Sequence, residues 1–126
     1  MVLACVLVVD DNPDVLALLR ALLELKGFRV VTAEDGDMAW EFLPQIRPDV
    51  IVTDMRMPKV DGSELIRRVR SAPGFSSIPI VAISAYGRHD ISEATALGAA
   101  ATLRKPTDFH RLVDTIHQLL DDRTPP

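Results

Sequence analysis

Five short apolar runs punctuate this chain: Leu3 to Val9 (LACVLVV), Arg29 to Ala33 (RVVTA), Val50 to Thr53, Ile78 to Ile83 (IPIVAI) and Ala100 to Leu103. Each has the length and apolar density of a strand in a parallel sheet covered on both faces. Between them, apolar residues recur at helical spacing. Pro13 sits well in a first turn and is followed by Val15, Leu16, Leu18, Leu19, Leu22 and Leu23 before Gly27 supplies a C-terminal stop. A second helix is predicted from Asp37 to Ile46 with Met38, Ala39, Phe42, Leu43 and Ile46 inward; Pro44 should bend it or end it early. Ser63 to Arg70 predicts a short third helix burying Leu65, Ile66 and Val69, and the breakers Pro73 and Gly74 then mark a loop from Ser71 to Ser77. Arg88 to Leu97 is a weaker helical segment closed by Gly98. A last helix begins at Thr107 or Asp108, with Phe109, Leu112, Val113, Ile116, Leu119 and Leu120 on one face.

Strict strand and helix alternation with short connections predicts an α/β domain, a parallel sheet with helices on both faces. Right-handed crossovers bring the C-terminal ends of all the strands to one edge, where open α/β sheets bind ligands. The chain of 126 residues is one domain's length, with residues 1–122 as the folded unit and 123–126 (RTPP) as a flexible tail.

Composition narrows the function classes. Hydrophobic residues at 48% and charged residues at 25% describe an ordinary globular protein. A net charge of −4 offers no basic field for nucleic acid or an anionic membrane. No apolar run reaches the roughly 18 residues of a membrane span, and the N-terminus lacks a basic signal-peptide region, so the expected compartment is the cytoplasm. The single cysteine, Cys5, has no partner for an internal disulfide and is expected to act as a small buried hydrophobe. His89, His110 and His117 fall on predicted helices without metal-ligand spacing and are expected on solvated faces.

The chemistry is concentrated at the predicted strand ends: Asp10 and Asp11 after the first, Asp54 after the third, Ser84 after the fourth, and Lys105-Pro106 after the fifth. Taken singly, Asp11 or Asn12 could be a helix cap, Asp54 and Pro106 turn formers, Ser84 a loop hydroxyl and Lys105 a surface amine. Taken together, three converging carboxylates repel one another unless a cation joins them. All-oxygen ligands with open water positions suit Mg²⁺. With that ion, the Lys105 ammonium and the Ser84 hydroxyl, a phosphoryl group on Asp54 would be surrounded by positive charge and donors, which is how proteins promote phosphoryl transfer.

The elements VLVVDDNPD, VIVTDMRMPKVDG, IPIVAISA and LRKP resemble the motifs of bacterial response-regulator receiver domains, and the likeness covers Leu3 to about Leu120. The resemblance implies a flavodoxin-like, doubly wound, three-layer αβα fold with five parallel strands in the order 2-1-3-4-5 and five helices. It implies that Asp54 is the phosphoacceptor, that Mg²⁺ is held by Asp11, Asp54 and the main-chain carbonyl of Arg56 with Asp10 acting indirectly or through water, and that Ser84 and Lys105 contact the phosphoryl group. It further implies a cis Lys105-Pro106 bond, and that Arg56 and Tyr86 flank the phosphoryl group, where their bulk and the Arg56 donors are expected to slow hydrolysis. Two positions depart from the family pattern. Thr102 stands where members carry a Tyr or Phe that swings inward on phosphorylation, and Thr107 stands where Phe is common.

The expected role is that of a regulatory phosphoacceptor in a two-component system, not an enzyme. Its phosphoryl group would come from a sensor histidine kinase or a histidine phosphotransfer protein, and an unknown protein would be its downstream target; neither nucleic acid nor membrane is an expected partner. A stand-alone regulator, a relay receiver and a receiver excised from a hybrid kinase are all compatible with this reading, and no output domain is expected after the last helix. The alternatives are a phosphorylation-independent interaction module and an aspartyl-phosphate phosphatase. The second would carry Asp-x-Asp-x-Thr at the first strand end, where this chain has Asp10-Asp11-Asn12-Pro13. A flavin carrier would need a Ser/Thr/Gly-rich loop there.

Overall fold

The computed structural model describes residues 3–57, 59–85, 87–106 and 108–123. Its elements alternate without exception: β1 (Cys5–Val9), α1 (Pro13–Leu25), β2 (Arg29–Ala33), α2 (Gly36–Ile46), β3 (Val50–Asp54), α3 (Gly62–Ser71), β4 (Ile80–Ser84), α4 (Arg88–Leu97), β5 (Ala101–Arg104) and α5 (Phe109–Arg123). The five strands form one parallel sheet in the order β2-β1-β3-β4-β5.

Because side chains alternate across a pleated strand, each central strand feeds two cores. Val6 and Val8 of β1, Val50 and Val52 of β3, and Val81 and Ile83 of β4 pack with Leu16 and Leu23 of α1 and with Leu112, Val113 and Ile116 of α5. The intervening Leu7, Val9, Ile51, Ile80 and Ala82 pack with Ala39 and Leu43 of α2, Leu65, Ile66 and Val69 of α3, and Ala94 of α4. Hence β1, β3 and β4 read as unbroken apolar runs. Cys5 is buried at the start of β1, as expected of a small hydrophobe.

Helix starts follow local chemistry. Asn12, Asp35 and Asp61 cap α1, α2 and α3, each side-chain oxygen accepting from a first-turn N–H. Gly27 (φ +92°) follows α1 and Gly98 (φ +112°) ends α4, both in the left-handed region that carbon-bearing side chains avoid.

Several boundaries differ from the sequence expectation. β1 begins at Cys5, and Leu3 is exposed. β3 includes Asp54. β4 runs from Ile80 to Ser84, not from Ile78, because the Ile78 N–H turns back to the Phe75 carbonyl and Pro79 has no N–H to give. β5 is shifted by one residue, to Ala101–Arg104. Pro44 does not stop α2 at once: the helix continues to Ile46 and ends at Arg47 in the left-handed conformation, so the proline occupies its last turn. α5 extends through Arg123, the first residue of the expected tail; residues 124–126 lie outside the described set, as does Thr107, one of the two starts expected for this helix.

Candidate functional site

The parallel register places the chemical residues side by side. Thr53 pairs with Val9, which makes Asp10 and Asp54 neighbours at the ends of adjacent strands. Asp54 pairs with Ile83 and Ser84 with Arg104, bringing Ser84 and Lys105 to the same edge. The loop after β3 folds back closely over its own strand. The Gly62 N–H donates to the Met55 carbonyl at 3.1 Å, and a Cβ at Gly62 would stand 2.3 Å from the Asp54 carbonyl oxygen and 2.8 Å from the Met55 Cα. Only a residue without a side chain fits there.

Asp10 and Asp54 are buried and Asp11 is exposed, and one carboxylate oxygen from each lies within 4.8 Å of the others. Lys105 Nζ donates to Asp54 Oδ2 at 2.9 Å and to Asp10 Oδ2 at 3.2 Å. The Arg56 backbone N–H donates to Asp54 Oδ1 at 3.3 Å, and the Asn12 N–H to Asp10 Oδ1 at 2.9 Å. Burial pushes the Asp54 carboxyl above the usual carboxylate range; the Asp10 charge adds to the rise, while Lys105 and the Arg56 N–H oppose it. Burial by itself would lower Lys105, but its hydrogen bond and charge attraction to Asp54, reinforced by Asp10, leave the ammonium held above its ordinary value. Oxygen donors from Asp10, Asp11 and Asp54 could hold a metal, and an all-carboxylate set that crowds negative charge in a partly buried cleft fits a hard divalent cation.

Ser84 is buried, and its hydroxyl donates to Asp90 Oδ2 at 2.9 Å. The Arg56 guanidinium forks onto the same carboxylate, Nε at 3.1–3.2 Å and Nη2 at 2.8 Å. Arg56, first through its hydrogen bond, holds the Asp90 carboxyl below the usual range against the effect of burial. Asp90 was not among the sequence candidates. An acid in the first turn of a helix reads as a complement to the helix dipole, and nothing in the sequence indicates that a partner 34 residues away would bury it.

Among the other residues singled out from sequence, Thr102 is half-buried in β5 beside Ala82. The Lys105-Pro106 bond is cis. Tyr86 lies outside the described residues. His89, His110 and His117 are exposed on helices, and His117 also lies 5.3 Å from the Phe28 ring.

This edge carries acids after β1 and β3, a hydroxyl after β4 and a lysine after β5, a set consistent with a phosphoacceptor domain on an open parallel α/β sheet. The model of the response regulator receiver domain family matches residues 6–117. The chain belongs to the response regulator receiver domains of two-component systems, a regulatory family. It is 40% identical over 114 residues, 90% of this chain and 87% of the relative, to an uncharacterized 14.6 kDa protein of Leptolyngbya boryana. It is 30% identical over 91% of its length, and 92% of the relative's, to sporulation initiation phosphotransferase F of Bacillus subtilis. Among solved structures it resembles the chemotaxis response regulator CheY4 of Vibrio cholerae with a TM-score of 0.87 and 30% identity, over 94% of this chain and 99% of that one. Of several other curated relatives the chain spans only 27% to 52% of the length. No helix among the described residues is long and apolar enough to cross a membrane.

Proposed function

We propose that Asp54 takes a phosphoryl group from a phosphohistidine on a partner kinase or histidine phosphotransfer protein, and that the chain relays it or changes its protein-binding surface in response. One observation carries this proposal. The Asp54 carboxylate ends the central strand, is buried, and has the Lys105 ammonium 2.9 Å from Oδ2. An Asp54 carboxylate oxygen attacks phosphorus, the new O–P bond forms as the P–N bond breaks, and the electron pair returns to the imidazole nitrogen of the donor. Lys105 stands ready to neutralise charge on the transferred group, and the Ser84 hydroxyl can donate to one of its oxygens. Asp11, Asp54 and the Arg56 main-chain carbonyl, with Asp10 through water, would hold Mg²⁺, which when bound offsets negative charge at the acceptor.

An apolar surface that a donor protein would cover lies beside the acceptor. Val15, Leu18, Leu19 and Leu22 of α1 face Pro106 and Phe109 across an apolar groove of about 600 Å³ that reaches Asp10 and Lys105. Leu18 there is 58% exposed, in keeping with a surface that a partner covers.

Mass spectrometry after incubation with acetyl phosphate and Mg²⁺ tests the function. One phosphoryl adduct is expected on the native chain and none on Asp54→Asn. Full labelling of that variant at another carboxylate would refute the assignment. A native chain that takes up no phosphoryl group would favour an interaction module that works without phosphorylation.

A further inference from the structure

Asp90 is a buried carboxylate to which the phosphoryl-transfer reaction gives no task. It lies in the first turn of α4, 1% exposed, and gathers two donors from segments next to the acceptor, the end of β4 and the loop after β3. Ser84 ends the strand paired with β3, and Arg56 follows Asp54 by two residues while its own backbone N–H touches Asp54 Oδ1. A serine hydroxyl carries a single proton, and here that proton is committed to Asp90 Oδ2 at 2.9 Å. Two nitrogens of the Arg56 fork are directed to the same group.

We propose that Asp90 is a positioning residue that restrains the switch. It holds the Ser84 hydroxyl and the Arg56 guanidinium while Asp54 is unmodified, and it loses both when Asp54 carries a phosphoryl group. This rests on Asp54 being the phosphoacceptor. A phosphoryl group on Asp54 brings up to two negative charges and three acceptor oxygens to the strand end beside both donors, and it competes for them. Asp90 is then a buried charge stripped of its partners, a state that must be relieved by water or by movement.

The helix that carries Asp90 is the one least tied down by apolar packing. Only Asp90 and Ala94 of α4 are fully buried, and no side chain caps its N-terminus. Its remaining anchors include polar ones: Ser63 hydrogen-bonded to Glu93, and the Arg70 guanidinium on the Gly98 carbonyl at 2.8–3.0 Å. Release of Asp90 therefore frees the first turn of α4, and it does so without a large side chain at Thr102.

The test uses beryllofluoride with Mg²⁺ on the full chain, native and with Asp90→Asn or Asp90→Ala, with affinity measured by calorimetry and hydrogen exchange followed over residues 88–97. In the native protein, exchange in the first turn of α4 should accelerate on ligand binding. Asp90→Ala should exchange rapidly before any addition and bind beryllofluoride about tenfold more tightly, the scale of one charge-assisted hydrogen bond that no longer has to be broken. Asp90→Asn, which keeps an acceptor oxygen and the side-chain shape, should fall between the two. A merely structural Asp90 would lower the melting temperature and leave affinity unchanged or weaker, and either result overturns the proposal. If the native chain binds no beryllofluoride, or binds it equally well as Asp54→Asn, the phosphoacceptor assignment fails and the restraint falls with it. Native binding with unimproved Asp90 variants sinks the restraint alone.

Discussion

At Gly62 a single hydrogen atom decides whether the acceptor loop can close. With the Asp54 carbonyl oxygen 2.3 Å and the Met55 Cα 2.8 Å from where a Cβ would stand, even alanine must push backbone, since no flexible side-chain end is available to give way. Gly62→Ala should destabilise the fold by about 1–3 kcal/mol, the usual cost of overpacking, measured by urea unfolding. It should also slow acetyl phosphate labelling, because the atoms displaced belong to Asp54 itself. An unchanged unfolding midpoint would show that the loop has slack. The sequence flags Asp61-Gly62 as a turn, but the reason for glycine is the strand it leans on, and that contact exists only once β3 and α3 are in place.

At the scale of elements, α1 separates two jobs that its leucines share in the sequence. Leu16 and Leu23 face the sheet and are buried, whereas Leu18, two residues from Leu16 and so on another side of the helix, lines the groove toward Phe109. Leu23→Ala should cost about 2–5 kcal/mol in denaturant unfolding, as large core truncations do. Leu18→Asp should change stability by no more than about 0.5 kcal/mol. If the donor protein covers the groove, that variant should label normally with acetyl phosphate and at least several-fold more slowly from a phosphorylated histidine phosphotransfer protein. Equal slowing with both donors would mean that the site itself, not the docking surface, has been damaged. The leucine repeat was legible as a helix; which leucines face outward was not, because six Val and Leu residues in nine positions form a stripe wider than one face can bury.

At the scale of the whole molecule, the sheet gathers carboxylates that are distant in sequence and leaves them close enough to share a cation. A ligand bound only by the folded state stabilises it by mass action, about 2.7 kcal/mol at one hundred times its dissociation constant. Saturating Mg²⁺ should therefore raise the native melting temperature by several degrees over the same protein in chelator, and most of that rise should vanish in Asp11→Ala. A rise of equal size in Asp11→Ala would remove Asp11 from the metal's ligands.

The strands, the helices and the residues at the strand ends were written locally: uninterrupted apolar runs, a cap candidate such as Asn12, and acids that break off a buried strand need only their neighbours in sequence to be recognised. Residue resemblance carried the strand order as well. What the sequence did not disclose is where side chains from different loops meet. Asp90 is an ordinary first-turn acid until β4 and the loop after β3 bring Ser84 and Arg56 onto it. Likewise, the Asp54 carboxyl is pushed up by burial and by Asp10 and pulled back by Lys105, partners 44 and 51 residues away in the chain. Periodicity is a property of a segment, whereas desolvation and charge pairing are properties of a place, and only the folded chain creates the place.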